Sequence, residues 1–400
     1  MYDVMQGIRV VEVAEHTFVP AAGMVLADWG AEVIKVERMG GGDASRHLKL
    51  PGTDGRINPF FEAANRGKRG ITLDLTQEAG REELYRLLET ADVFITNLRD
   101  EARSRLGIQP ADLMSRHPRL IYGLGTGYGR HGEMANDGGY DYPSSWCRSG
   151  AAWLQTTENS DMPPKQPGSI GDLGGGLALA GAIAAALFRR ERTGRGAVVE
   201  NSLYLTGTYL ASQSLLAASI GAPLITNHAQ GQAPLALANN YQTRDGRWIS
   251  LCLLVDKWWP DFLHHVNDPA LAQDPRFIDA TARHVNRQAL VEVLNKVFAQ
   301  RDYADWCQRL TSLEGVWAPV QSPAEVLTDP QALVNGFVSA VDLPGDARYL
   351  TGVSAAQFDE RPIGALQAAP GYCQHTDQVL SELGVSAQAL VELRRKGAIG

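Results

Sequence analysis

In the stretch GSIGDLGGGLALAGAIAAALFRR, residues 168–190, one acid, Asp172, stands ahead of three glycines and a long apolar run that ends at Arg189 and Arg190. The next acid is Glu191. An ordinary carboxylate titrates at about 4, so Asp172 is expected to be ionised at neutral pH. It can then attack an activated acyl carbon without a general base, which a serine or thiol would need. Aspartate is also a favoured helix N-cap, and its charge suits the positive end of a helix. Two features favour chemistry over capping alone. The helix that follows is apolar on nearly all faces, so its start is expected inside the protein, where a lone charge needs a purpose. Gly174, Gly175 and Gly176 carry no side chains, so a ligand is expected to approach the backbone amides and turn a developing oxyanion toward them.

Other chemistries lack their residues. Cys147, Cys252, Cys307 and Cys373 lie far apart, with no CxxC pair and no histidine at zinc-finger spacing, so no metal site is expected and a reduced compartment fits. HExxH and GxSxG do not occur. The turn AEHTFVPAAG lacks the GxGxxG glycines that bring backbone close to a dinucleotide pyrophosphate, which disfavours Glu37 as a ribose ligand. GGGD (40–43) lacks the Lys-Ser/Thr of a phosphate loop and reads as a surface turn. His264 and His265 read as a solvated or half-buried pair.

The elements that must position Asp172 follow from periodicity. IRVVEV (8–13) reads as a strand, AAGMVLADWGA as a helix and EVIKVE (32–37) as a second, parallel strand. The pattern repeats with ITLDL (71–75), a helix over EAGREELYRLLETA and DVFITN (92–97), then a helix near Pro110–Ser115 and the strand RLIYGLGTG. A doubly wound sheet is predicted for the first half. ERTGRG stops the apolar helix, AVVENSLY runs from strand into helix, and residues 221–240 are rich in turn formers. YQTRDGRWISLCLL reads as a hairpin about its DG turn, followed by a helical block over about 256–312 and two short helices at the end of the chain.

Composition bounds the rest. Of the 400 residues 44% are hydrophobic, which suffices for a sizeable core, and a net charge of −8 argues against a nucleic-acid partner. The N-terminus has no basic region ahead of an apolar stretch, so no secretory signal is expected. The apolar run Leu177–Phe188 is shorter than the roughly 20 residues that span a bilayer, so no membrane partner is expected and the protein reads as cytoplasmic.

The chain resembles the class III coenzyme A transferases, the group that includes formyl-CoA and carnitine CoA transferases and, as a side branch, α-methylacyl-CoA racemases. The resemblance is carried by LADWGAEVIKVE, NRGKRGITLDL, ADVFITNLR, HPRLIYGLGTGYG, GGYDY, GDLGGGLALAGAIAAALFRRERTGRG, PAEVLTDPQAL and HTDQVLSELG. It implies an α/β fold with a doubly wound Rossmann-like large domain and a smaller α+β domain, in an interlocked homodimer. The large domain would comprise residues 1–220 and a returning segment 330–400, with the small domain over 221–329. It implies a CoA thioester and a small carboxylic acid as substrates, no permanently bound cofactor and no metal. Asp172 falls on the family nucleophile, which passes through an acyl anhydride and an aspartyl-CoA thioester. Arg38, Leu73, Asn97 and Arg105 fall on CoA-binding positions, while a family lysine near Thr76 is missing. Lys68 and Arg69 match the NxxKR motif.

Racemases of this family use a histidine in a GHD motif; here the motif reads GYD, with Tyr140 in that place. A phenol with a pKa of about 10 is a poor α-proton base, so transfer is favoured over racemisation or epimerisation. Tyr140 and Thr17 fall near the substrate, Thr17 where formyl-CoA transferase has a glutamine. The shielding glycine loop is reduced to QGQAP (230–234), leaving Gly231 and Gln232 in its place. Trp146 reads either as a wall of a broader acyl pocket or as a core tryptophan. A CoA-binding protein without catalysis is the third reading.

Overall fold

Short β-branched runs alternate with helix formers through the first half of the chain, and each strand passes its edge to a helix that returns over the sheet. The computed structural model describes residues 2–53, 55–158, 160–343 and 347–400. The strands β1 (Arg9–Val13), β2 (Glu32–Glu37), β3 (Arg69–Thr72), β4 (Val93–Thr96), β5 (Ile121–Thr126) and β6 (Ala197–Ser202) form one six-stranded sheet. Their order is 3-2-1-4-5-6 and every pair is parallel. Val11 lies opposite Ile34 on one side and Phe94 on the other. Alternate side chains serve two cores: Val10, Val33, Val93 and Ile121 face one, and Val11, Ile34, Phe94 and Tyr122 face the other.

The helices of this half are α1 (Phe18–Asp28), α2 (Pro59–Asn65), α3 (Glu78–Leu88), α4 (Asp100–Leu106), α5 (Pro110–Arg116), α6 (Ala151–Leu154), α7 (Ile170–Thr193) and α8 (Leu203–Leu210). Every residue of α1 is buried, including Asp28, whose carboxylate pairs with Arg66 at 2.6 Å. Against α1 lies α7, the helix that carries Asp172. Its buried stripe runs Gly175, Gly176, Leu179, Ala180, Ile183, Ala186, Leu187 and Arg190, the spacing of one helical face. Arg190 pairs with Asp92 at 3.0 Å, and Gly194, at φ 70°, ends the helix in the left-handed conformation.

Two expectations about α7 are corrected. Its opposite face, with Ile170, Leu173 and Phe188, is exposed rather than enclosed. Its 24 residues, from Ile170 to Thr193, are also long and apolar enough to cross a membrane by length and composition, because the glycine stretch continues the apolar run. One face of this helix is nonetheless the core of the sheet's helical layer.

Contacts divide the chain into two units: residues 1–153, 164–224 and 329–400, and residues 154–163 with 225–328. The segment 154–163 lies with the second unit because Asn227 donates its backbone N–H to the carbonyl of Leu154 at 2.7 Å and its side-chain amide to that of Gln155. The second unit has an antiparallel sheet of β7 (Ala238–Gln242), β8 (Trp248–Cys252) and β9 (Val316–Pro319). The DG turn closes the β7–β8 hairpin, with Gly246 at φ 79°. Its core is built on Tyr241, Phe262, Phe298 and Trp306. In the first unit the returning segment brings Ile399 to bridge Leu73 and adds the helices Thr376–Glu382 and Ala387–Arg395.

Candidate active site

Connections leave β1 and β4 in opposite directions, so a crevice opens at the carboxyl ends of these neighbouring strands. The β1–α1 turn at its mouth is held from beneath by buried side chains. Asn97, at the end of β4, accepts from the N–H of Glu15 at 3.0 Å and donates to its carbonyl at 2.7 Å. Lys35 donates to the carbonyl of Ala14 at 2.9 Å, Asp43 accepts from the N–H of His16 at 3.0 Å, and Lys68 donates to the carbonyl of Pro20 at 2.8 Å. His16 stands at φ 66°, a conformation that non-glycine residues seldom adopt.

These anchors belong to one buried ion network. Lys35 pairs with Glu12 at 3.0 Å and Asp43 at 2.8 Å, and Lys68 pairs with Glu12 at 2.7 Å, all with fully buried ammonium and Glu12 groups. Burial opposes the charge on Lys35, but Glu12, Asp43 and Glu37 together raise its pKa above the ordinary range. Burial wins at Lys68 and pulls it down to about 8. At Asp43 burial is outweighed by Lys35 and by bonds from the amides of His16 and Ser45, which bring it down to about 2. Lys68 of the NxxKR motif is thus an internal strut, and Arg69 ties the sheet to the returning segment through Glu32 and Glu382.

Two clefts open above this floor. One, of about 590 Å³, is lined by Asp172, Tyr140, His16, Asn97, Arg99 and Arg130 among others. The second, of about 220 Å³, is lined by Arg38, Leu73, Asp74, Thr76 and Arg105. Glu15, Leu98 and Ala102 line both, so the clefts adjoin. Arg38 is held beside its cleft by Glu15 at 3.1 Å and the carbonyl of Gly42 at 3.0 Å. Leu73 is packed in the core and reaches the cleft from its floor.

Asp172 is the third residue of α7 and does not cap it. That task falls to Asp141, which is buried and accepts from the N–H of Gly171 at 3.1 Å. Asp141 also accepts from the hydroxyl of Ser145. A side chain at Gly171 would collide with Asp141 and Ser145, so this glycine permits the capping contact. The half-buried Asp172 therefore shares a helix terminus with a second carboxylate. Burial first, and then the charge of Asp141, push its pKa up to about 7. The expectation of a fully ionised nucleophile at neutral pH is corrected accordingly.

The glycines are corrected as well. A Cβ at Gly176 would stand 2.7 Å from Cβ of Ala21 and 2.8 Å from the carbonyl oxygen of Phe18, and one at Gly175 would stand 2.6 Å from the Phe18 ring. Both permit close packing of α7 on α1. The N–H of Leu173 already donates to the carbonyl of Ser169 at 2.8 Å, and the amides that follow continue the helical ladder. They are not free to face an oxyanion.

The remaining candidates are distributed. Tyr140 is 64% exposed at the rim of the Asp172 cleft, with its ring edge-on to His16 at 5.5 Å. Asn97 lines that cleft, but its amide is engaged at Glu15. Thr17 occupies the N-cap position of α1 without a side-chain capping bond; its neighbours His16 and Phe18 line the cleft and it does not. Trp146 lies in a π-helical turn, Tyr142–Cys147, and donates its indole N–H to the carbonyl of Pro164 at 2.8 Å. Gly231 and Gln232 form the short turn Gln230–Gln232 of the second unit, beside a Gln230–Asn295 amide pair. Among the described residues no three His, Cys, Asp or Glu side chains gather as a metal site. Sequence reasoning missed His16 and Asp141. The one signal for them was position, His16 in the turn between β1 and α1 and Asp141 in the GGYDY motif.

Comparison with known proteins bears on this arrangement. The profile of CoA-transferase family III matches residues 5–376. The (R)-2-hydroxy-4-methylpentanoate CoA-transferase of Clostridioides difficile is 30% identical over 96% of this chain and 97% of that protein. The succinyl-CoA:mesaconate CoA-transferase of Haloarcula hispanica is 29% identical over 95% of this chain and 96% of its own length. Among solved structures, a CaiB/BaiF family protein from Brucella suis superposes with a TM-score of 0.82 at 28% identity, covering 95% of this chain and 99% of that one.

Proposed function

The chain belongs to CoA-transferase family III and is an acyl-CoA:carboxylate CoA-transferase, and we propose that it works through a covalent intermediate on Asp172. The observation that carries this reading is the half-buried carboxylate of Asp172, held at the start of α7 and lining a 590 Å³ cleft that adjoins one bearing Arg38 and Arg105. Arginines at the carboxyl edge of a parallel sheet suit the phosphates of the CoA nucleotide, with Leu73 beneath the adenine. The pantetheine arm then passes Glu15, Leu98 and Ala102 toward Asp172. Asn97 serves this path by fixing Glu15, and Tyr140 covers the acyl end.

In the reaction, a carboxylate oxygen of Asp172 bonds to the thioester carbon, whose π electrons move onto its oxygen. Collapse breaks the C–S bond and leaves an acyl-aspartyl anhydride and CoA thiolate. The thiolate attacks the aspartyl carbonyl and releases the donor acid, giving an aspartyl-CoA thioester. The acceptor carboxylate displaces the thiolate to form a second anhydride, and the thiolate returns to the acceptor acyl carbon, freeing Asp172. No net proton is consumed. The relatives act on acids as different as a branched hydroxy acid and mesaconate, so the acid pair is left to experiment.

We further propose a homodimer, interlocked through the segments that join the units and acting in the cytoplasm. It is supported by apolar surface on the first unit: Phe188 is 68%, Tyr209 75% and Ile220 72% exposed. The test of the chemistry is a matrix of acyl-CoA donors and acceptor acids read by mass, with hydroxylamine trapping Asp172 as a hydroxamate. Full turnover by Asp172→Ala would sink it. Exchange of an α-hydrogen with deuterated solvent without an acceptor acid would instead favour a racemase.

A further inference from the structure

The N–H of Gly171 is taken by Asp141 and those from Leu173 onward by the helix, so the oxyanion formed when Asp172 adds to a thioester calls for a donor beyond them. His16 is placed to supply it. Its backbone is forced into the left-handed region at φ 66°, and strain of this kind persists only where the surroundings over-determine it. Here they do: Asp43 holds its N–H, Asn97 holds both backbone groups of the preceding Glu15, and Lys35 holds the carbonyl of Ala14. The side chain so aimed lines the same cleft as Asp172, half-buried against the Tyr140 ring. Neither imidazole nitrogen has a hydrogen-bond partner among the described residues. A related sheet would present the amides of this turn to a phosphate. In this chain the Glu15 and His16 amides are held by Asn97 and Asp43, and the His16 side chain lines the cleft.

We propose that the imidazole N–H of His16 donates a hydrogen bond to the acyl oxygen that becomes negative as Asp172 bonds to the thioester carbon. This rests on Asp172 being the nucleophile. The neutral ring has one N–H, and the proton stays on it: the bond formed is O–C, the bond broken is C–S, and the electron pair held on the acyl oxygen returns on collapse. The same donor serves each later tetrahedral intermediate.

The test compares His16→Gly, which accepts φ 66° without strain and removes the donor, with His16→Asn, which tolerates that backbone and keeps an N–H. Acetyl-CoA, succinyl-CoA and cinnamoyl-CoA serve as donors in single-turnover acylation, quenched with hydroxylamine and read by peptide mass. His16→Gly is expected to slow adduct formation on Asp172 by about 10²-fold or more while binding free CoA within threefold of the unaltered protein by calorimetry. His16→Asn is expected to recover at least a tenth of the rate. Undiminished acylation by His16→Gly, or a loss of CoA affinity as large as the loss of rate, overturns the proposal. Absence of any adduct in the unaltered protein overturns the Asp172 reading, and this one with it.

Discussion

Asp172 holds its proton to about pH 7 because burial removes water from its carboxylate and Asp141 adds a like charge at the same helix end. The attacking form is the carboxylate, so kcat/KM is expected to rise with pH through about 7 and level off above it. Asp141→Asn should move that inflection to lower pH. Stability runs the other way. Between the unfolded value of about 4 and the folded value of about 7 the native state binds more protons, so the relative stability present below about 4 is lost as pH rises through about 7. Asp172→Asn, which never ionises, should therefore melt higher than the unaltered protein at about pH 8, by roughly 1–3 kcal/mol, and equal it at about pH 4; calorimetric scans at the two values decide. The place of Asp172 at a cleft was legible, because an isolated acid before glycines and an apolar run is chemically conspicuous. Its true capping partner was not: Asp141 reaches Gly171 from 30 positions away, and no local window contains both.

The glycines after Asp172 show the same limit at the next scale. Their freedom from side chains was plain, but what fills the space is α1, from far earlier in the chain. Gly176→Ala is expected to cost about 1–3 kcal/mol in urea melts, since the added methyl meets Ala21 and a backbone carbonyl that cannot swing aside. Gly174→Ala meets only the Thr206 methyl at 4.0 Å, and should gain roughly 0.5–1 kcal/mol of helix stability. The pair separates packing from catalysis along one helix. The sheet was far easier to read, since strands buried on both faces appear as β-branched runs such as IRVVEV and EVIKVE. The ion network beneath it was not, because Glu12 lies in β1, Lys35 in β2 and Lys68 just ahead of β3, far apart in the chain. Lys68→Met leaves Glu12 short of one buried partner and should destabilise the fold by about 3–5 kcal/mol, measured by denaturant unfolding.

For the whole molecule, Phe188 toward the end of α7 and Tyr209, Leu216 and Ile220 further along the first unit are exposed apolar residues. Phe188→Glu together with Leu216→Glu is expected to turn the proposed dimer into monomers in sedimentation velocity, leaving the far-ultraviolet circular dichroism of the fold unchanged. Tandem order in sequence hid one feature at this scale. Residues 154–163 sit inside the first half of the chain, yet Asn227 secures them to the second unit. The helix α7 meanwhile bears Asp172 at one end, the α1 contact along one side and bare apolar surface along the other. A rod with so many fixed duties has little room to drift under selection. Changes in the acid this protein accepts should accumulate instead in the glycine-rich strap of residues 127–140, which follows β5, borders the same cleft and has no buried residue. A library confined to the strap should then yield altered acid preference far more often than one of equal size spread over α7.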